Sequence, residues 1–236
     1  GLISWCESVG IKFGTNLNAC TGVDRTVYHI SAAPVRRQGV VDSCLLILRD
    51  WCDGLLLKEK AIDKERCVVR EEWRTRRTGM AVARMMEDAF PVIFKGSKYE
   101  DAMPIGHLDV INNFSPDALR DYYNKWYRPD LQAVVVVGDV DVNVIESQIK
   151  RQFGGLSLPP NAPRRRYYPV ADNKRMITHV MRDAEQPIAL AHLYMKRDVK
   201  PTSVRSSEHY QQEIYEHDLI CLMLNERLSK QQSGAK

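Results

Sequence analysis

The sequence predicts an α+β fold in which helices pack on a largely antiparallel sheet. Apolar residues recur at helical spacing from Val40 to Cys52, a pattern typical of an amphipathic helix. Two extended segments lie between Asn16 and Ser31, joined through the turn-prone stretch Gly22-Val23-Asp24. The β-branched run from Gln132 to Val137 predicts a further, buried strand.

Spacing and end signals predict the early helices. Residues 2 to 9 have the pattern of the end of a helix, and the helix from Val40 stops at Gly54, a residue that suits a helix C-terminus. A second helix runs from about Asp63 through Glu72. We expect it to continue, after a break near Gly79, into residues 81 to 87.

Residues 91 to 106 have little regular pattern and are predicted to form a loop. Ser115 is a suitable N-cap, and Pro116 suits the first helical position. This helix is expected to end before Pro129, and another is expected from Asn143 to Phe153.

A linker is predicted where glycine and proline accumulate, between Gly154 and Arg166. It divides the chain into a domain of residues 1–156, a linker of residues 157–166 and a second part of residues 167–236. Strands from Met176 to Met181 and from Ile188 to Met195, then a helix from about Ser206 to Leu228, are expected in the second part. About 70 residues make a small independent core, so this part is interpreted as incomplete.

Composition excludes several classes of protein. With 44% hydrophobic and 27% charged residues, the chain is an ordinary globular protein. The apolar runs are too short to span a bilayer, so no membrane span is expected. The net charge of +4 does not argue for a nucleic-acid partner, and the six cysteines contain no C-x-x-C pair.

Two carboxylates share one face of the predicted second helix. Glu65, Val69, Glu72 and Arg76 follow one another at spacings of four, three and four, and we call these residues the carboxylate stripe. A carboxylate beside valines is expected to be buried or half-buried, where a cation must compensate it. The alternative is a solvated pair of Glu72 with Arg76, which the pattern alone favours.

Four further segments occur in a characteristic order around this stripe. They are Gly14-Thr15-Asn16-Leu17-Asn18-Ala19-Cys20-Thr21, Ser115-Pro116-Asp117-Ala118-Leu119, Trp126-Tyr127-Arg128-Pro129-Asp130 and Val134-Val135-Val136-Val137-Gly138-Asp139. Together with the stripe, this order resembles the pitrilysin/insulinase family of zinc metallopeptidases. The resemblance is strong over residues 1 to 156 and weaker beyond. It implies a metallohydrolase-like domain followed by part of a second, similar domain.

The resemblance implies roles for four residues. Glu72 matches the family's third zinc ligand, and Glu65 matches a glutamate that orients ligands in the outer shell. Glu71 competes with Glu72, but its helical angle puts it off the stripe. Asn18 and Ala19 match a strand edge that pairs with the substrate backbone, although Asn18 alone could equally cap a turn.

The family's H-x-x-E-H motif, which supplies two zinc histidines and the general base, is not in the sequence. The chain opens on Gly1 and runs directly into apolar residues. We therefore expect a fragment of a longer protein, one that binds no zinc by itself and is inactive alone. Zinc is expected in the full-length parent.

Other polar clusters have simpler interpretations. His209, Glu213 and His217 share a helical face that could bind a metal, but the polar surroundings favour an exposed face. The run Arg164 to Arg166, followed by two tyrosines, could bind single-stranded nucleic acid. A solvated linker is the favoured interpretation of this run.

The predicted function is therefore that of a fragment of a zinc metalloendopeptidase, which hydrolyses peptides or unfolded protein segments. Its expected partners are such substrates and the remaining halves of the same protein. The alternative is a non-catalytic member of the family that holds substrate or serves as a structural partner. The resemblance permits the bacterial periplasm or an organelle as the compartment, without choosing between them.

Overall fold

The computed structural model describes residues 1–197 and 199–234. By its contacts the chain separates into two compact units, Gly1–Leu190 and Ala191–Lys236. The division into residues 1–156, 157–166 and 167–236 remains a prediction. The helices are α1 (Leu2–Ser8), α2 (Val40–Asp53), α3 (Glu59–Gly79), α4 (Ala81–Ile93), α5 (Leu108–Asn113), α6 (Pro116–Trp126), α7 (Val142–Phe153), α8 (Thr202–Arg205) and α9 (Glu208–Gly234).

The predicted extended pair forms an antiparallel hairpin of β1 (Leu17–Thr21) and β2 (Thr26–Ile30). In its register, Leu17 lies opposite Ile30 and Thr21 opposite Thr26. The combination of helices with an antiparallel sheet confirms the α+β class. In the described residues this sheet has two strands, fewer than the sequence predicts.

Three predicted strands are wrong for the described part of the chain. Residues 132–137, 176–181 and 188–195 carry no strand or helix. The interpretation of the valine run as buried also fails, because Val135 and Val137 are 78% and 92% exposed. A strand needs a neighbour to accept and donate its ladder hydrogen bonds, and β-branched composition alone does not supply one.

The helix predictions are largely confirmed. Helix α2 ends before Gly54, and a break at Met80, whose backbone is extended, separates α3 from α4. Helix α4 is longer than predicted because it includes Pro91, so the following loop begins at Phe94. A proline at this position lacks an N–H to donate and crowds the carbonyl four residues earlier, and α4 ends two residues after it.

A small hydrophobic core joins the hairpin to α1 and α2. Ile11 and Leu17 are almost fully buried here. The cluster consists of Cys6, Val9, Ile11, Leu17, Val40 and Cys44, with Trp5, Ile30, Ala33, Ile47 and Trp51 packed against it. This packing holds β1 by its N-terminal residue and leaves the rest of the strand exposed.

Contacts between distant parts of the sequence close the first unit. Helix α2 packs on α7, where the Gln152 amide donates to the Asp42 carboxylate at 2.9 Å and Arg49 Nε donates to the Gln152 carbonyl at 3.1 Å. The hydroxyls of Tyr28 on β2 and Tyr127 after α6 lie 2.5 Å apart. The N-terminal hairpin is thus bonded to the segment that follows α6.

The predicted N-cap of α6 is confirmed, since Ser115 Oγ accepts a hydrogen bond from the Ala118 amide at 3.1 Å. We expect Ser115→Ala to lower the free energy of unfolding by about 1 kcal/mol because that amide loses its acceptor. Urea denaturation would measure the change. Ser147→Ala, at an exposed position inside α7, is the control, and an equal loss there would contradict a capping role.

The second unit contains α8 and α9. Helix α9 covers the helix predicted from about Ser206 to Leu228 and is longer. Ser207 Oγ accepts from the Tyr210 amide at 3.2 Å, at its start. In the described residues no helix is both long and apolar enough to cross a membrane.

Candidate functional site

Helix α3 carries the carboxylate stripe, and the stripe is exposed. Glu65 and Glu72 are both exposed, and Val69 is 36% exposed. The predicted burial of these carboxylates is therefore wrong. The physical reason is that α3 buries only Ile62 within the described residues. The stripe lies beyond this position and is not covered.

Arg76 is the ionic partner of Glu72. Its Nη2 and Nε lie 2.6 and 3.0 Å from Glu72 Oε1, the solvated pair that the pattern alone favoured. Both donors reach the same oxygen, and no hydrogen bond to Oε2 is formed in residues 1–197 and 199–234. The neighbouring Glu71 pairs instead with Arg74, at 2.9 Å.

These residues do not form a zinc site by themselves. A catalytic zinc requires three protein ligands, and no group of three His, Cys, Asp or Glu side chains suited to a metal occurs in the described part of the chain. In the second unit, His209 Nε2 lies 3.5 Å from Glu213 Oε1, which Lys200 Nζ also approaches at 3.3 Å. This arrangement agrees with a solvated polar face.

Arg66 fixes the position of α3. Its guanidinium donates to the Ile111 carbonyl at 2.5 Å and to the Phe114 carbonyl at 2.8 Å, and it lies 3.9 Å from the centre of the Phe114 ring. The two carbonyls belong to the end of α5. Arg66 could not be identified from the sequence, because its partners are distant in sequence and no periodic signal identifies them.

The hairpin register shows which backbone groups of β1 face outward. Asn16 accepts from the Ser31 amide, and the Gly22 amide donates to Arg25, so these are hydrogen-bonded pairs. Such pairs alternate along an antiparallel ladder. The N–H and C=O groups of Leu17, Ala19 and Thr21 therefore point away from β2.

In the described residues the outward edge is free at Thr21 and at the carbonyl of Ala19. Leu17 is already bonded, since its amide donates to Lys12 and its carbonyl accepts from Gly14. The Ala19 amide donates to the Asn18 side-chain oxygen at 2.8 Å, a contact within the strand itself. Thr21 was not singled out from the sequence, although the alternation of the strand would have identified it.

Asn18 makes the side-chain contacts of a turn cap, one of the two roles considered from its sequence, and its backbone does not contribute to the outward edge. Its backbone belongs to a pair with His29 and faces β2. Its side chain donates to the Gly14 carbonyl at 2.9 Å while its oxygen holds the Ala19 amide. Asn18 thus occupies a turn-capping position and also covers one donor of the free edge.

The structure does not bring the two pairs of predicted site residues into one packed cluster. Helix α3 packs on α4 and α5, whereas β1 pairs with β2, and no extensive contact joins α3 to β1 in the described residues. The exposed edge and the exposed stripe are thus not packed extensively against each other in the described residues.

Two family models match the chain. Residues 5–90 match the insulinase model of peptidase family M16, and residues 113–220 match the model described as the M16 inactive domain. The chain is 28% identical over 235 residues to the probable zinc protease PqqL of Escherichia coli, covering 99% of this chain and 24% of PqqL. It is 33% identical over 152 residues to the corresponding Haemophilus influenzae protein, covering 64% of this chain and 16% of that protein.

A solved structure gives the same similarity. The first half of the periplasmic protease PqqL from Escherichia coli superposes with a TM-score of 0.65 at 29% identity, over 72% of this chain and 36% of that one. The chain thus spans about a quarter or less of the length of the two curated relatives described above.

Proposed function

Because this chain belongs to the insulinase family of peptidases, M16, we propose that it is part of a zinc metalloendopeptidase acting on peptides or unfolded protein segments. The observation that carries the proposal is the free, exposed outer edge of β1. The remaining parts of the same protein would supply the zinc histidines and the general base. The similarity to a periplasmic protease supports a periplasmic compartment among those the resemblance permits.

An extended substrate would add to β1 as a neighbouring strand. The outward C=O of Ala19 and the outward N–H and C=O of Thr21 are the groups available to it. Pairing to the Ala19 amide would first require that the Asn18 side chain release it. Main-chain bonding of this kind holds a peptide without reading its side chains, which suits a peptidase of broad substrate range.

Glu72 would supply one carboxylate ligand to the metal, and Glu65 would position the site. The metal, when bound, supplies an activated water and charge stabilisation at the scissile carbonyl. The two glutamates are seven residues apart, which is about 10 Å along a helix. They are thus too far apart for easy ligation of one ion, so Glu65 acts through another group.

A non-catalytic, substrate-holding member of the family is the second candidate. The match of residues 113–220 to the inactive-domain model favours it, as does the pairing of Glu72 with Arg76. The zinc content of the purified full-length protein separates the two. One zinc per chain supports the peptidase, whereas no bound zinc together with retained peptide binding supports the holding role.

The strand edge is tested at Thr21 in the full-length protein. Thr21→Pro removes the outward N–H, and edge strands tolerate proline, so we expect about three- to tenfold weaker binding of a fluorescent extended peptide, equivalent to one lost hydrogen bond. Fluorescence anisotropy would measure the affinity.

Thr21→Val is the matched control. It loses the hydroxyl contact with Thr26, at 3.2 Å, but keeps the backbone N–H. Equal effects of valine and proline would show that the side chain, and not the edge, matters. Unchanged affinity in the proline variant would remove the basis for strand addition.

A further inference from the structure

A strongly basic surface is formed by the irregular segment after α7 together with one lysine of the loop after α4. We call it the basic platform, and it consists of Lys98, Arg164, Arg165, Arg166, Tyr167 and Tyr168. All six side chains are exposed. The three arginines form no ion pair within residues 1–197 and 199–234, although many other arginines of the chain do so. Their charge is therefore available to a partner.

The basic platform is held at both ends. Before it, the guanidinium of Arg128, which is only 2% exposed, donates to the Pro163 carbonyl. At its far end, Lys98 Nζ lies 6.0 Å from the centre of the Tyr168 ring, and Arg165 Cζ lies 4.8 Å from that of Tyr167. These contacts hold the chain immediately before the three arginines and place Arg165 and Lys98 beside the two tyrosines.

The basic platform adjoins the hairpin turn. Tyr99, next to Lys98, donates its hydroxyl to Asp24 Oδ1 at 2.9 Å, and Asp24 lies in the turn that follows β1. Burial raises the pKa of Tyr99 and the bond to Asp24 raises it further, while the positive charge of Arg165 acts in the opposite direction. The basic platform is linked to this hydrogen bond through Lys98, the neighbour of Tyr99 in sequence.

These contacts set the order of groups along the surface. Asp24 follows the end of β1 three residues after Thr21, so a strand paired to Ala19 and Thr21 that continues past Thr21 runs toward the turn to which Tyr99, the neighbour of Lys98, is bonded. We propose that the basic platform binds acidic side chains of the extended polypeptide whose backbone pairs with β1. This inference rests on the proposed strand addition, and it adds a charge preference to a binding mode that has none.

The chemistry of the platform fits carboxylates. Guanidinium groups form charge-assisted, often bidentate hydrogen bonds with carboxylates, and the two tyrosines offer apolar contact to the stems of glutamates. Nucleic acid would also meet positive charge and aromatic rings. A peptide is favoured because the adjoining edge offers backbone donors and acceptors at strand spacing.

The test compares two labelled peptides of equal length on the full-length protein. One carries four glutamates at one end, and the other carries glutamines there. We expect the acidic peptide to bind about fivefold more tightly at low salt, the scale of a few exposed ion pairs. The triple change Arg164→Gln, Arg165→Gln, Arg166→Gln should abolish the difference and leave the glutamine peptide unaffected.

The control removes equal charge elsewhere, with Lys58→Gln, Lys60→Gln and Lys64→Gln at exposed positions near the start of α3. An equal loss of preference in this control would show a net-charge effect and overturn the inference. A competition experiment gives a second way to overturn the inference. If a single-stranded oligonucleotide of matched charge displaces the labelled acidic peptide more effectively than the same peptide without the label does, the platform binds nucleic acid instead.

Thr21→Pro separates failure of the inference from failure of the proposed function. Suppose that Thr21→Pro weakens the binding of both peptides, but that the preference for the acidic peptide survives the triple arginine change. The inference about the basic platform then fails, and the proposed strand addition stands. Suppose instead that the triple variant loses binding of the acidic peptide and that Thr21→Pro has no effect. The edge pairing on which the inference rests is then overturned.

Discussion

Glu72→Gln should abolish zinc-dependent peptide cleavage by the full-length protein, whereas in this chain alone it should leave the melting temperature nearly unchanged. The amide is a poor substitute for a carboxylate ligand, so both bound zinc and turnover should be lost. The fold of this chain should tolerate the change because Glu72 is exposed and its only ionic partner in the described residues is Arg76. Such a pair contributes about 0–1 kcal/mol.

Glu71→Gln is the matched control for this prediction. Glu71 lies on the same helix and has the same kind of partner, Arg74, three residues away, but its carboxylate lies off the stripe. Zinc content and cleavage of a quenched fluorescent peptide should be measured for both variants. If Glu71→Gln loses zinc and Glu72→Gln retains it, the helical register is off by one and the site assignment fails.

Arg66→Met should lower the free energy of unfolding by about 2–4 kcal/mol. The change removes the donor from the carbonyls of Ile111 and Phe114, and each partly buried acceptor left without a partner costs about 1–3 kcal/mol. It also removes the contact of the guanidinium with the Phe114 ring. Denaturant unfolding monitored by circular dichroism would measure the loss.

Arg70→Met, one turn further along the same helix, is the comparison. Arg70 is exposed and makes a weak contact of 4.0 Å with Cys67 Sγ, so a change below about 0.5 kcal/mol is expected. Similar losses in both variants would mean that helix propensity and net charge matter, and not the bonds of Arg66 to α5.

The helices could be predicted because their signals are local. The apolar period from Val40, the stop at Gly54 and the cap at Ser115 depend on residues within a few positions of one another, and the structure has the expected element at each. The hairpin was predictable for the same reason, since a turn-prone stretch joins its strands.

The absence of strands at residues 132–137, 176–181 and 188–195 and the exposure of the carboxylate stripe could not be predicted, because both depend on what lies opposite. Residues 132–137 have the composition of a strand but no neighbour to pair with in the described chain. The valines beside Glu72 have the spacing of a core face, yet Val68 is 54% exposed because no described element covers it. The pair of Glu72 with Arg76 depends only on helical spacing, so it could be predicted as the alternative to a buried carboxylate.

The bonds that join distant segments have a consequence for folding. The Tyr28–Tyr127 pair closes a loop of 99 residues, and the bond between Arg49 and Gln152 closes one of 103. Closing loops of this length costs chain entropy before any contact repays it, and folding slows as contacting residues lie further apart in sequence. The segment matched by the insulinase model cannot complete its packing until residues 127 and 152 have been synthesised. During translation the segment matched by the insulinase model therefore folds only after the later segment has been made. In the finished protein we expect both segments to unfold together in a single cooperative transition.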